Sequence, residues 1–395
     1  MLKPSFYLHP ITINTFLFIY FIFLPFLFVS NKSEYFLAFF IAILGFFSFI
    51  FGYKLKFKRV MFLENEFKDL TIKRFLLIVF ILIDLSSIYS FVFGGISQGA
   101  YNLGYLEVAG SNSLYKQVFH VAISFVKFYI YSGYMKNNKR LFMTLFLVSL
   151  FASFSSRVRF DVVQIIIFFG VFGIYFKYIK IGLLRIAIIL MLSPIFMLAM
   201  LIKRDYVGNT NISNLFVVIQ NSMQEIFYDK THFFEMIKIS MESFATFEIY
   251  NKVIADNFIS PTNGIIRIIF NFIPRSIWSE KPYPLQIVLA SEYNKTAYNA
   301  GGGVFANIYG DAYANGGLLG IIVIMFSLGI VSKMLYNETL KQTESQALYV
   351  GFYCVFLIYF THFYRGYLSD MTWQFLLFIM TFIFLNCLEK YKIIK

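Results

Sequence analysis

Arginine residues at the ends of apolar segments are the first candidates for chemistry in this chain. Arg157, Arg204 and Arg365 each stand at the end of a different apolar run, and Arg159 lies close to Arg157. A guanidinium offers a planar fork of donors that binds phosphate in a bidentate manner, which a lysine ammonium does not. If the runs form a bundle, these side chains converge at one depth. The pattern predicts a site for a lipid diphosphate headgroup; the alternative is that each arginine contacts phospholipid phosphates on its own.

Other reactive groups are few. The four histidines, among them His362, stand at no metal-ligand spacing from one another, so no metal site is predicted. His362 shares a helix face with Arg365, and it is interpreted either as a base or as a packed interfacial histidine. The chain has no G-x-x-x-x-G-K-[ST] loop and no Asp-x-Asp pair. An ATP-driven pump is therefore excluded, and glycosyltransferases that hold a metal with such an acidic pair are disfavoured.

The elements that must position these residues are membrane helices. Apolar residues make up 59% of the 395 residues, charged residues only 14%, and the mean hydropathy is +0.69. A soluble fold with this composition would expose a large apolar surface and aggregate, and a disordered chain would be far less hydrophobic. The remaining class is a multi-pass membrane protein.

The apolar runs predict an all-α fold, a polytopic membrane helical bundle of about ten transmembrane helices. Barrel strands are excluded because the runs are continuously apolar and do not alternate. The ten runs are Ile11–Ser30, Glu34–Tyr53, Phe75–Phe93, Leu114–Tyr134, Leu141–Ser156, Phe160–Lys177, Leu183–Ile202, Gly317–Tyr336, Ser345–Tyr364 and Met371–Leu388. The first is interpreted as a retained anchor, not a cleaved signal peptide, because no small-residue cleavage site follows it.

Basic residues set the expected orientation. Lys and Arg concentrate in the segments that lie inside when the N-terminus is inside, most densely between Lys54 and Arg74. Such a bias places both termini in the cytoplasm. The formal net charge of +13 is then a consequence of topology, and no nucleic-acid partner is predicted.

The chain divides at a large loop on the outer face. Residues 1–202 carry seven spans, residues 203–316 form the loop, and residues 317–395 carry the last three spans. A connection of this length tends to be functional. Within the loop, Ile212–Phe227 and Phe233–Ile254 are predicted amphipathic helices on the membrane surface. Gly264–Trp278 is predicted to be a re-entrant or interfacial element, and Gly301–Gly303 to be a flexible hinge.

Two charges lie inside predicted spans. Asp84 and Lys127 occupy matching depths in the third and fourth spans. Because an unpaired charge inside a bilayer is costly, we expect these residues to form a buried ion pair. A structural role is favoured over a role in transport.

Two stretches of the chain carry recognisable motifs: Phe272–Pro282 (FIPRSIWSEKP) and Asn307–Gly320 (NIYGDAYANGGLLG). The first resembles the I-P-R…W…K-P signature in the outer loop of the Wzy-type O-antigen polymerases, which polymerise oligosaccharide repeat units. The second is similar to that family's G-(E/D)-x-Y-x-N-x-G-x-x-G stretch, which leads into a span. The matching residues of the second stretch are Gly310, Asp311, Tyr313, Asn315, Gly317 and Gly320. Ser155–Arg157 and Arg365–Gly366 are weaker matches.

The resemblance implies a reaction and a location. A glycan on undecaprenyl diphosphate would be transferred to the non-reducing end of a new lipid-linked repeat unit, at the outer leaflet of the cytoplasmic (inner) membrane. The product would be a surface polysaccharide such as the O-antigen of lipopolysaccharide or a capsule. No cofactor, metal or nucleotide sugar is implied. The expected partners are undecaprenyl-diphosphate-linked oligosaccharides, the lipid bilayer and a chain-length regulator.

The resemblance also implies roles for individual residues. Asp311 is the first choice for the base that accepts the proton of the attacking hydroxyl, with a helix N-cap as its structural alternative. Arg275 and Arg365 would stabilise the charge that develops on the leaving diphosphate. Arg157, Arg159, Arg204, Lys281, Trp278 and Tyr313 would bind the diphosphate or the glycan, and His362, Glu280 and Asp205 are alternative bases. Trp278 and Tyr313 can equally belong to the aromatic belt of the membrane interface.

Two other functions compete with polymerisation. An O-antigen ligase has the same broad architecture, but the histidine that such ligases carry before the Gly-rich span entry is replaced here, near that position, by Asn307. A flippase or transporter would need polar residues along a path through many spans. The spans contain few, and no inverted repeat is evident.

Overall fold

The computed structural model describes residues 8–55, 71–94, 113–154, 159–179, 241–260, 281–299, 301–340 and 346–390, with isolated residues between 217 and 280. The described residues form helices and turns and include no strand, which confirms the all-α prediction. In chain order the helices are α1 (Pro10–Phe28), α2 (Lys32–Lys54), α3 (Thr71–Gly94), α4 (Ser113–Met135), α5 (Lys139–Phe154), α6 (Arg159–Tyr175), α7 (Glu242–Ala255), α8 (Leu285–Tyr293), α9 (Lys295–Asn299), α10 (Asn307–Thr339), α11 (Gln346–Arg365) and α12 (Leu368–Lys390).

Every predicted span coincides with one of these helices except Leu183–Ile202, which lies outside the described residues. Within the described part of the chain, α1, α2, α10 and the Ala347–Arg365 part of α11 are long and apolar enough to cross a membrane. Their lipid-compatible outer faces include Phe36 and Phe51, both more than half exposed. The protein is therefore a membrane protein, and the total of about ten spans stays a prediction.

The chain forms two compact units. The first contains α3, the C-terminal part of α4, α5 and α6, with an aromatic core around Phe142, Phe168 and Phe172. The expected ion pair lies in this unit: Lys127 Nζ donates to both oxygens of Asp84, at 2.6 and 2.7 Å. The prediction of a buried pair is confirmed.

The second unit contains α1, α2 and α7–α12, and its most extensive helix contact joins α2 to α10. Glycines permit this contact. A Cβ on Gly52 would lie 2.0 Å from the backbone oxygen of Phe326, and one on Gly329 would lie 2.2 Å from that of Phe49. Small residues at such crossings let two membrane helices approach closely.

Helix α10 is broken near its start. Gly317 has φ +59° and ψ −151°, a conformation available essentially only to glycine, and it separates a short helix from the long apolar one. We call residues Asn307–Asn315 the motif helix, because they carry most of the second family-like stretch. The predicted eighth span began at Gly317, so its boundary coincides with the break, and the motif helix precedes it.

The predicted loop between residues 203 and 316 contains helices α7, α8 and α9. The C-terminal half of the predicted helix Phe233–Ile254 is α7, which buries one face and donates a hydrogen bond from Tyr250 Oη to the backbone oxygen of Ala38 in α2, at 2.7 Å. Helix α7 is therefore packed against α2 within the second unit, instead of lying only on a membrane surface. Gly301–Gly303, predicted to be a hinge, closes α9 with two backbone hydrogen bonds and contacts Gln286. Ile212–Phe227 and Gly264–Trp278 lie almost entirely outside the described residues.

Candidate functional site

The α11–α12 corner, residues Arg365–Leu368, is the centre of the candidate site. Gly366 has φ +103°, its N–H donates to the backbone oxygen of Phe363, and the Tyr367 N–H donates to that of His362. This is a Schellman ending, which needs a residue that tolerates a left-handed conformation. The chain turns there sharply, so Arg365 stands in the last turn of α11 and Leu368 begins α12.

Asp311 of the motif helix holds this corner. Its Oδ2 accepts a hydrogen bond from the Leu368 N–H at 2.9 Å, and its Oδ1 accepts one from Asn315 Nδ2 at 2.8 Å. The residue is only 2% exposed. A carboxylate at a helix N-terminus satisfies an orphan backbone donor and interacts favourably with the helix dipole. Asp311 therefore caps α12, a helix distant in sequence, and not the span that follows it directly.

Asn307 completes the contact between the motif helix and the corner. Its side-chain oxygen accepts hydrogen bonds from the N–H groups of Tyr309 and Gly310, at 3.0 and 3.2 Å, which caps the start of the motif helix. A Cβ on Gly366 would lie 3.1 Å from the Asn307 nitrogen. The corner and the motif helix are thus in close contact, and Asp311 and Arg365 belong to the same end of the second unit.

Arg365 is stacked against aromatic rings. Its guanidinium carbon lies 5.2 Å from the centroid of Phe305 and 5.1 Å from that of Tyr367, and these two rings are 4.2 Å apart. A guanidinium on an aromatic face gains cation–π energy while its edges keep hydrogen-bonding capacity. The side chain is half-buried. This arrangement fixes a positive charge at the corner in a defined plane.

His362 lies one helical turn before Arg365 and is buried, with 9% exposure. Its ring meets Tyr367 edge-on at 5.9 Å. The sequence left open a base and a packed histidine; the ring is buried and contacts Tyr367, and the role of a base stays a prediction.

The segment that carries Asn257, Ser260 and Gly264 is joined to the motif helix by three consecutive contacts, which we call the seam. Tyr313 Oη donates to Asn257 Oδ1 at 2.9 Å. The Ser260 N–H donates to the backbone oxygen of Ala314 at 2.7 Å. The Gly264 N–H donates to Asn315 Oδ1 at 2.8 Å. The donor and acceptor residues are Asn257, Ser260 and Gly264 on the loop and Tyr313, Ala314 and Asn315 on the motif helix.

Tyr250 supports the seam from α7. The ring is fully buried and lies 6.2 Å from the ring of Tyr309. A Cβ on Gly310 would come within 3.1 Å of it, so the glycine of the motif makes room for this ring. Burial raises the pKa of the Tyr250 phenol well above its usual value, so Tyr250 acts as a neutral hydrogen-bond donor to α2.

The remaining described candidates lie on the segment before α8. Lys281 is buried, and its ammonium donates to the backbone oxygen of Ile273 at 3.0 Å. Trp278 is half-buried, and its ring stands edge-on to Phe270 at 6.1 Å. Glu280 is exposed. Lys281 therefore holds its own loop together, a role that the sequence did not suggest.

Several predicted residues lie outside the described residues: Arg157, Arg204, Asp205 and Arg275. Arg159 opens α6, but its side chain is not among those described. The predicted convergence of the arginines on one diphosphate site stays a prediction. Of the proposed catalytic residues, Asp311 and Arg365 are described; Arg365 belongs to the corner, and Asp311 belongs to the motif helix that contacts it.

Sequence reasoning did not assign the residues that link the site. Asn315 was noted only as a motif match, and the Leu368 N–H is a backbone donor with no side-chain signal. Phe305 and Tyr367, which stack on Arg365, could not be distinguished by sequence from the other aromatic residues of a chain with 53 Phe and 28 Tyr. The one signal that could have found Asn315 is its position one helical turn after Asp311.

The arrangement suits recognition of an anion beside a fixed carboxylate. Within the described ranges, no three His, Cys, Asp or Glu side chains lie close enough together to hold a metal ion. In comparisons with known proteins, no protein-family model, no curated protein and no solved structure matches the chain.

Proposed function

We propose that this protein polymerises lipid-linked oligosaccharide repeat units by glycosyl transfer. One observation carries the proposal: the Asp311 carboxylate and the Arg365 guanidinium are fixed at the same end of the second unit, one on the motif helix and one on the corner it caps. A carboxylate and a guanidinium are the pair that the reaction needs. The first accepts a proton, and the second stabilises the negative charge of a departing diphosphate.

In the proposed reaction a sugar hydroxyl of the incoming repeat unit attacks the anomeric carbon of the growing glycan. The new glycosidic C–O bond forms, and the bond between the anomeric carbon and the lipid diphosphate oxygen breaks. The hydroxyl proton passes to Asp311, and the electron pair of the broken bond leaves with undecaprenyl diphosphate. Arg365 binds this diphosphate, together with Arg275.

Asp311 can serve as base while it caps α12. A carboxylate has about four lone-pair sites, so the hydrogen bonds from Leu368 and Asn315 do not by themselves exhaust its capacity. Its burial favours proton transfer in a site from which water is largely excluded. The exposed Glu280 lacks such an environment, which makes it the weaker candidate.

The proposal includes a location. The chain would span the inner membrane with both termini in the cytoplasm, and the corner and the seam would face the outer leaflet, where lipid-linked repeat units are presented. A chain-length regulator is the further protein partner proposed. The described apolar helices require a bilayer, and the choice of membrane rests on the resemblance.

A deletion strain tests the proposal directly. Its surface glycan is separated on a gel, and its lipid-linked glycans are extracted. A ladder that collapses to a single repeat unit supports polymerisation. Full-length polymer stranded on the lipid carrier identifies a ligase, repeat units trapped at the inner leaflet identify a flippase, and an unchanged ladder with unchanged lipid-linked glycans refutes all three.

Substitution of Arg365 tests the role of its guanidinium. We expect Arg365→Ala to lower chain extension by roughly 100- to 1,000-fold, the range seen when one electrostatic donor is removed from a reaction centre. Arg365→Lys keeps the charge but loses the planar stack, and it should rescue only a small part of the activity. Lys295→Ala removes an exposed charge of α9 in the same unit and serves as the control. Full activity of Arg365→Lys would show that charge alone suffices.

A further inference from the structure

We infer that Asn315 is a positioning residue, which orients the Asp311 carboxylate and couples it to the outer loop at Gly264. The inference rests on the proposed function for its catalytic consequence, whereas its structural part is independent of any activity. No motif interpretation assigned this role to Asn315, and the sequence offers only its spacing from Asp311.

Asn315 uses both ends of its amide. Its Nδ2 donates to Asp311 Oδ1 and to the Asp311 backbone oxygen, each at 2.8 Å, and its Oδ1 accepts from the Gly264 N–H at 2.8 Å. Only a primary amide of this length can donate to the carboxylate and accept from the loop at the same time. A hydroxyl is too short, and a carboxylate cannot donate.

The loop contact depends on Gly264. A Cβ built on this residue would lie 2.3 Å from Asn315 Oδ1, far inside van der Waals distance. The loop backbone therefore approaches the amide as closely as a chain without a side chain permits. Together with the neighbouring contacts of the seam, the hydrogen bond from the Gly264 N–H fixes the orientation of the Asn315 amide. The Nδ2 donor of the amide therefore points at Asp311.

The result is a relay of hydrogen bonds with one direction. The Gly264 N–H donates to Asn315, Asn315 donates to Asp311, and the Leu368 N–H donates to the other oxygen of Asp311. The relay joins three segments, namely the outer loop, the motif helix and the start of α12. In each of these two hydrogen bonds an oxygen of the Asp311 side chain is the acceptor.

Exchanging the two side chains separates position from chemistry. In the double variant Asp311→Asn, Asn315→Asp, the new asparagine accepts from the Leu368 N–H and donates to the new aspartate, which accepts from the Gly264 N–H. All three links of the relay are kept, whereas the hydrogen bond from residue 315 to the backbone oxygen of residue 311 is lost, because a carboxylate does not donate. The carboxylate, however, now stands one helical turn away from its original place.

The single variants break the relay. Asn315→Asp sets two carboxylates against each other, and Asp311→Asn sets two amide donors against each other or against the Leu368 N–H. Asn315→Ala removes both links of Asn315. The control is Asn294→Ala, which deletes an exposed asparagine cap on α9 in the same unit.

The test combines two measurements on the full-length protein. Hydrogen exchange by mass spectrometry, on peptides that contain Gly264 and Leu368, reports the relay without any activity. The polymer ladder in cells reports chain extension. We expect Asn315→Ala and Asn315→Asp to accelerate exchange in both peptides and to lower chain extension by about 100-fold, the loss typical of a misplaced reacting group, and Asn294→Ala to change neither.

The exchanged double variant decides the inference. We expect it to regain slow exchange in both peptides while chain extension stays lost, because the carboxylate is displaced. Normal polymer from this variant, or slow exchange in Asn315→Ala, would overturn the positioning role. If the deletion strain shows that the protein is not a polymerase, the exchange data still test the relay, so the two failures are distinguishable.

Discussion

Removing either charge of the Asp84–Lys127 pair should destabilise the first unit far more than removing an exposed ion pair. Asp84 is 5% exposed. Its oxygens accept hydrogen bonds from Lys127 at 2.6 and 2.7 Å, from Ser149 at 2.9 Å and from Tyr131 at 3.2 Å. The carboxylate is thus paired and surrounded by donors from α4 and α5, so a substitution affects three helices together.

The expected magnitude follows from what each substitution leaves behind. Asp84→Asn leaves the Lys127 ammonium without a counter-charge, and Lys127→Met leaves the carboxylate with two hydroxyl donors. Breaking a buried pair in this way costs about 3–5 kcal/mol. Replacing both partners removes the isolated charge, so the double variant should be more stable than either single variant. The two substitutions are therefore strongly coupled, and exchange of the charges should rescue Asp84→Lys.

The assay is thermal unfolding of the purified protein in detergent, analysed as a double-mutant cycle. The control is the ion pair between Lys252 and Glu248 of α7, which joins exposed side chains at 2.9 Å. Lys252→Ala should cost no more than about 0.5 kcal/mol, as exposed helical pairs do. The reasoning is refuted if Asp84→Asn costs no more than Lys252→Ala, or if the two core substitutions simply add.

Gly329, Gly317 and His9 each give a further prediction. Gly329→Ala should lower the free energy of unfolding by about 1–3 kcal/mol, because its Cβ would lie 2.2 Å from a backbone oxygen of α2. Gly170→Ala has open space around its Cβ and should raise the free energy of unfolding by about 0.5–1 kcal/mol; thermal unfolding of the two variants measures both changes. Gly317→Ala should abolish chain extension, because φ there is +59°, whereas Gly316→Ala, in extended backbone at φ −167°, should be active. Burial lowers the pKa of His9 from 6.5. The unfolded state therefore binds the His9 proton first, and the free energy of unfolding should fall as the pH drops below about 6.5. His9→Gln should reduce this loss, measured by unfolding scans at two pH values.

The positions of the helices could be predicted because the bilayer imposes their length. A span needs about 20 apolar residues, and such runs are visible in the sequence without any knowledge of packing. The Asp84–Lys127 pair could be predicted for a related reason. Few other polar groups are available to two opposite charges that lie at the same depth in an apolar environment. Their depth alone therefore indicates that they pair with each other.

The partners of Asp311 could not be predicted. One is the backbone N–H of Leu368, and every residue except proline carries such a group. A second is Asn315, whose amide orientation is set by a loop residue, Gly264, about fifty positions earlier. The sequence indicated that Asp311 stands at the entrance of a span and left a base or an N-cap open. It contained no signal that the helix it caps is α12.

The surroundings of α7 could not be predicted, because the amphipathic pattern of Phe233–Ile254 fits either a membrane surface or a protein surface. Tyr250 decides between them for α7, since its hydroxyl reaches the backbone of α2. Glycine runs are ambiguous in a similar way. A hinge and a helix ending both favour glycine, and Gly301 with φ +73° is an ending.

The motif residues of the candidate site have a second explanation, which the exchanged variant addresses. Asp311 caps α12, Asn307 caps the motif helix, Gly317 breaks α10 and Gly366 ends α11. Helix ends by themselves therefore require these residue types, whatever reaction occurs nearby. Arg365 is different, because its aromatic stack satisfies no backbone group. The proposed glycosyl transfer consequently requires that the carboxylate and the guanidinium act on the substrate. A carboxylate that works equally well at position 315 would reduce Asp311 to a helix cap and leave Arg365 as the only candidate for chemistry among the described residues of the corner.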